Sequence, residues 1–254
     1  MDANMLLLAD SRLPAGGHAH SGGLEQAAAA GTVADLDGLA DFLRGRLATV
    51  GLVCAALAAA ACRHASVDTP ADAPGPDGRD GWALLDAEAD ARTPSPAQRR
   101  ASRAQGRALL RVARTAWPHP ALDALDALGS LDVVSGRPGS RGPHHPVALG
   151  AATAAAGGTA EQAATIAAYG TVTGPAAAAV RLLGLDPLAV HRVLAGLAPD
   201  VSDVGAAAVR AAVHAATTAI TADDGWAGLP ALSAPVLDLY AELHLQSQLR
   251  LFES

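Results

Sequence analysis

The chain has 254 residues and a formal net charge of −7, and half of its residues are hydrophobic while only 3% are aromatic. A chain of that length buries a full core without staples, and its acidity excludes nucleic acid or an anionic membrane as the main partner, because both demand a basic footprint. All 18 cationic side chains are arginine, which also excludes Schiff-base chemistry, a lysine base and the lysine of a phosphate-binding P-loop.

The opening "MDANMLLLAD" has no basic lead and does not read as a signal peptide. Residues 11–26, "SRLPAGGHAHSGGLEQ", then concentrate glycine and histidine. No lysine follows the glycines, and they lack the spacing of a dinucleotide turn, so a nucleotide cradle is excluded. His18 and His20, one residue apart, could hold one metal ion, as in metal-dependent hydrolases, although such enzymes hold their ligands on strands. Otherwise the stretch is a structural turn in which Pro14 stops the first helix and Gly16, Gly17, Gly22 and Gly23 supply backbone freedom. That reading accounts for the glycines and leaves the two histidines open.

"GGLEQAAAAG" predicts a short helix with Glu25 in its first turn and Gly31 at its C-terminal cap. From Leu39, apolar positions at Leu43, Leu47, Val50, Cys54, Leu57 and Ala61 recur in steps of three and four, the stripe of a long amphipathic helix. Cys54 in that stripe reads as a small buried hydrophobe. It lies roughly 12 Å of helix rise from Cys62, which forbids a disulfide between them and suits a reducing compartment. "VGLVCAALAAAAC" reads as too short and too alanine-rich to span a bilayer, so the expected location is the cytoplasm.

Residues 66–81 form a Pro/Gly/Asp loop, and helix resumes at Trp82. "SPAQ" at Ser95–Gln98 starts the next helix with a serine cap and proline at the first position. Residues 129–146 read as a second loop, with His144 and His145 in a solvated turn. "TAEQ" at Thr159–Gln162 caps a further helix, which Pro175 is expected to kink or split, and Asp186–Pro187 starts another. His64, His119, His191 and His214 read as surface or helix-end residues, and no Ser/His/Asp or Cys/His set can be nominated from spacing. With no run of alternating β-branched residues, the expectation is one all-α domain over residues 1–254, a bundle of about eight to ten helices.

The string "LLLADSRLPAGGHAHSGGLEQAAAAG" resembles the opening of the UreF family of urease accessory proteins. Asp10, Ser11, Leu13, Pro14, Gly16, Gly17, His20, Ser21, Gly22, Gly23, Leu24 and Glu25 match it, while His18 stands where the family usually has Phe. "RRASRAQGRALLRVA" with Gly106 resembles the family's middle helix, and "AAAAVRLLGL" with Arg181 and Gly184 its alanine-rich one. At the C-terminus Ala234, Pro235, Leu237, Asp238, His244, Arg250, Leu251, Phe252 and Ser254 match. The chain departs from the family at Leu185–Val190, where a glutamine-rich run is usual, and at Leu245, where glutamate is usual.

The resemblance implies an all-helical, dimer-forming protein that is not an enzyme and carries no cofactor. It would bind UreD (also called UreH) and recruit the GTPase UreG, so that nickel reaches the urease apoprotein. Partner contact would fall on Tyr240, His244, Arg250, Leu251, Phe252 and Ser254, with transient nickel or interface contact at His18 and His20. A metal-dependent hydrolase using the histidine pair, or a helical scaffold without a metal role, are the other readings. Physics alone leaves the Leu251–Phe252 pair either folded onto its own core or held for a partner. The resemblance favours the partner.

Overall fold

The computed structural model describes residues 2–16, 20–66, 79–131, 142–219, 226–247 and 251–252, and among them regular structure is entirely helical. In order these helices are α1 (Ala3–Ala9), α2 (Leu24–Ala29), α3 (Leu36–Arg46), α4 (Leu52–Ala65), α5 (Arg79–Ala91), α6 (Pro96–Ala116), α7 (Pro120–Leu131), α8 (His145–Ala155), α9 (Ala160–Leu183), α10 (Pro187–Gly196), α11 (Ala198–Ala219) and α12 (Pro235–Gln246). A π-helical turn, Leu47–Gly51, joins α3 and α4 into one rod. The starts follow from the caps. Ser95 Oγ accepts from the Gln98 N–H before Pro96, and Asp186 accepts from Leu188 and Ala189. Thr159 and Gln162 close a reciprocal capping box.

The core is built on α4, which packs most extensively on α8 and then on α9 and α11. Ala55, Ala56, Ala58, Ala59, Ala60 and Ala61 on α4 are fully buried, and α8 buries every residue from Pro146 to Thr153. Small side chains let the two axes approach until backbone meets backbone. A Cβ on Gly150 of α8 would stand 2.2 Å from the Ala58 carbonyl oxygen. On the other side of α8, the Pro143–His144 backbone lies directly on α6, where a Cβ on Gly106 would stand 2.0 Å from the Pro143 oxygen.

The all-α bundle is as expected, with eleven helical rods among the described residues when α3 and α4 are taken as one, α7 and α8 included. Several expectations are corrected here. Pro175 does not split α9. Proline leaves the carbonyl four residues before it, that of Thr171, without its helical donor, and Arg46 Nε supplies one at 3.0 Å. The same guanidinium donates to the Gly22 carbonyl at 2.8 Å, so one arginine mends α9 and pins the glycine turn. His144 and His145 are not in a solvated turn: they open α8, with His144 1% exposed. His64 is buried too, its ring edge-on to Trp82 at 4.5 Å. Parts of both expected loops, residues 67–78 and 132–141, lie outside the described residues.

The apolar stretch around Cys54 is not short. It belongs to Leu36–Ala65, which, like Ala160–Leu183, is long and apolar enough to cross a membrane by length and composition. In the fold the first of these is mostly buried within the protein, which accounts for its apolarity through packing on α8, α9 and α11. Both cysteines are free.

Replacing Arg46 by Met keeps most of the apolar stem and removes both donors. Hydrogen bonds from a charged group contribute about 1.5–3 kcal/mol each when the partner is left unsatisfied. The variant should lose about 3 kcal/mol in denaturant unfolding. A loss below about 1 kcal/mol would show that the Thr171 and Gly22 carbonyls find other donors.

Candidate site where the chain ends meet

Two of the stretches that carry the family resemblance, the glycine turn and the C-terminal one, lie far apart in sequence and come together in the fold. After α1, Asp10 accepts from the Arg12 backbone at 2.9 Å and pairs with its guanidinium, which fixes the turn at Pro14; the neighbouring Gly16 has φ of 79°. Gly17, His18 and Ala19 lie outside the described residues. Ser21 is fully buried, and its Oγ accepts from the Glu25 N–H. Gly22 and Gly23 have φ of 61° and 92°, the left-handed region that a side chain resists. Gly22 also packs on Arg46 and Pro175, where an added Cβ would sit about 3 Å from both. Conformation and contact both require glycine there.

This double turn aims α2 so that Glu25 faces the C-terminal segment. The Glu25 carboxylate accepts from the backbone N–H groups of Leu251 and Phe252, at 2.8 and 3.2 Å. His244, 2% exposed on α12, donates from Nε2 to the Phe252 carbonyl at 3.0 Å, since a carbonyl can only accept. The Arg181 guanidinium lies 5.5 Å from the centre of the Phe252 ring, a cation–π contact worth about 0.5–1 kcal/mol at such a site. Two further pairs stitch α2 and its following turn to α12: Gln26 to Ser247 at 3.0 Å, and Thr32 to the Tyr240 hydroxyl at 3.1 Å.

Phe252 is therefore 6% exposed and folded onto its own chain, whereas the resemblance had held it for a partner. Glu25 and His244 satisfy the N–H and C=O groups of Phe252, and its ring packs inward, with the Arg181 guanidinium against it. Leu251 next to it is 75% exposed. Of the remaining residues proposed for partner contact, Tyr240 and His244 belong to this clamp, while Arg250 and Ser254 lie outside the described residues.

Helix α12 has two apolar faces. Leu237, Ala241 and His244 turn inward, and Glu242 ties the helix to α6 by accepting from Ser95 Oγ and the Ala97 N–H. Val236, Leu239 and Leu243 recur at helical spacing on the outside and are 57%, 63% and 51% exposed. A surface helix that is apolar on both sides is the mark of a covered interface.

Behind the clamp lies a cavity of about 420 Å³ between the glycine turn, α6, α8, α9 and α12. His20, Arg46, Cys54, Ser102, His145 and Phe252 are among its walls. Burial holds the His145 imidazole down to about 4, with His20 adding to the effect, so it is neutral near pH 7. Cys54 is half-buried, and burial pushes its thiol up while Arg46 opposes the rise. Among the described residues no group of three or more His, Cys, Asp or Glu side chains is placed to hold a metal ion.

Spacing gave no hint of a second cluster in the same wall. His144 Nε2 meets Asp90 Oδ1 at 2.8 Å and Nδ1 meets Ser102 Oγ at 3.0 Å, a serine–histidine–aspartate chain drawn from α6, α8 and α5. Its partners show a structural task. Ser102 Oγ also accepts the His145 N–H, and Asp86 accepts the His144 N–H, so neighbouring helices cap α8, whose own N-cap side chain makes no cap bond. Arg103 completes the cluster by pairing with Asp86 and Asp90 and donating to the Gly142 carbonyl.

A family model described as UreF matches residues 33–198. The chain belongs to the UreF family. Curated proteins named urease accessory protein UreF resemble it over nearly their whole length. One from Mycobacterium sp. (strain JLS) is 44% identical over 98% of this chain and 97% of its own. One from Mycolicibacterium vanbaalenii is 42% identical over 99% and 98%, and one from Mycobacterium tuberculosis 40% identical over 99% and 98%. The family places the chain among the accessory, chaperone-type proteins of urease.

Proposed function

We propose that this chain acts in urease maturation by binding UreD/UreH and, with it, recruiting the GTPase UreG, so that nickel is delivered to the urease apoprotein as cargo. The observation that carries the reading is the junction of the two chain ends. The Glu25 clamp and His244 fix residues 251–252 beside α12, and Leu251 and the Val236–Leu239–Leu243 face are left exposed among the described residues. Aliphatic surface of this kind suits a protein partner. The chain acts as a homodimer in the cytoplasm and is not an enzyme; without a lysine it has no P-loop of its own for GTP. Whether His18 and His20 touch nickel in passing belongs to the same proposal.

The test is co-purification of the tagged chain from cells producing urease and its accessory proteins, followed by gel filtration. The unaltered chain should carry UreD/UreH and UreG. Leu251→Ala and Leu243→Asp should lose them while melting within about 2 °C of the unaltered chain, because exposed positions contribute little to stability. Retention of both partners by these variants would move the interface elsewhere, and failure of the unaltered chain to bring down any urease component would remove the assembly reading.

A further inference from the structure

Residues 251–252 belong to no helix, and among the described residues the hydrogen bonds to Phe252 come from groups that other segments present to it. Those groups read a peptide in a general way. The Glu25 carboxylate from α2 takes two consecutive backbone N–H groups, and His244 from α12 takes the next carbonyl. Arg181 from α9 covers the ring. Only the aromatic side chain is buried, since Leu251 stays exposed. Backbone contacts that ignore sequence, combined with one side-chain pocket that selects for it, are a recurring way in which peptides are recognised.

We propose that Glu25, Arg181 and His244 form a peptide-binding site, filled in this chain by its own Phe252, that accepts in trans a peptide segment carrying an aliphatic–aromatic pair. The tethered occupant has the advantage of high effective concentration, so a competing segment enters when the tail is disabled or outnumbered. This goes beyond the assembly reading and does not depend on it, because the probe is a peptide and no urease component is needed.

The experiment uses the full chain and a fluorescent synthetic peptide of residues 248–254, followed by anisotropy. Phe252→Ala, which empties the pocket, should bind the peptide saturably and at least tenfold more tightly than the unaltered chain does. Adding Glu25→Ala should weaken that binding at least tenfold, and a peptide with its Phe changed to Ala should not compete. No saturable binding by folded Phe252→Ala, or equal binding by the unaltered chain, would overturn the proposal. Should Phe252→Ala fail to fold, hydrogen exchange on the unaltered chain decides. Excess peptide should speed exchange at the Leu251 and Phe252 amides, and unchanged exchange would overturn the proposal.

Discussion

Gly150→Ala is expected to destabilise the protein by about 3 kcal/mol or more, at the upper end of the range for overpacked cores. The added methyl would meet the Ala58 carbonyl oxygen at 2.2 Å, the Ala61 Cβ at 2.6 Å and the Cys62 nitrogen at 2.8 Å. None of these is the far end of a flexible side chain, so α8 has to move away from α4 as a body. At about 2–4 °C per kcal/mol for a chain of this size, the melting temperature should fall by about 6–12 °C. Gly170→Ala is the matched control. It lies in α9 with nothing within 4 Å of an added Cβ, so the same substitution should gain about 0.5–1 kcal/mol from helix propensity alone. If the two variants melted together, the close approach of α4 and α8 would not be what holds the core.

Arg103→Met should have an effect of similar size by a different route. Arg103 is 7% exposed and neutralises Asp86 and Asp90 while donating to the Gly142 carbonyl. Removing one partner of a fully buried ion pair costs about 3–5 kcal/mol, and with the Asp90 side chain 43% exposed the loss here should lie near the low end, about 3 kcal/mol. The pH dependence is distinctive. The hydrogen bond from His144, followed by the charge and hydrogen bonding of Arg103, holds the Asp90 carboxyl down to about 2 against burial, from an ordinary value of 3.8. With the folded value below the unfolded one, its stabilisation is complete above about pH 4 and is lost as pH falls through about 2. The gap between the unaltered chain and Arg103→Met, measured by thermal unfolding, should therefore be wide at about pH 7 and narrow towards about pH 2. A gap that does not change with pH would mean that Arg103 acts by packing and not by charge.

How far the fold could be read depended on whether a helix advertised itself. Ser95–Gln98, Thr159–Gln162 and Asp186–Pro187 did, because capping is local chemistry that needs only a few residues. Helix α8 did not. It is buried all round, so it carries no polar face and hence no period of 3.6, and it follows a long loop. His144 and His145 were misplaced for the same reason: the groups that bury them, Asp86, Asp90 and Ser102, lie more than forty positions upstream. In the candidate site, the glycine turn and the Leu251–Phe252 pair stood out from sequence, each for its own oddity. That Glu25 joins them was not legible, because a separation of 226 residues has no local signature. Arg46 was equally silent. Its position follows from the carbonyl that Pro175 frees, and proline reports a missing donor without saying who replaces it.

The π-helical turn at Leu47–Gly51 sets a phase. An α-helix advances 100° per residue, so the surplus residue in that turn rotates everything after it by about that angle relative to α3. Before the turn, the buried stripe runs through Leu39 and Leu43; after it, Ala58, Ala61 and Cys62 lie against Gly150 of α8. The number of residues across this joint is thus specified as tightly as their identity. Removing any one of the five would restore a regular helix and turn Ala58, Ala61 and Cys62 away from Gly150, leaving each side chain intact and aimed at the wrong neighbour.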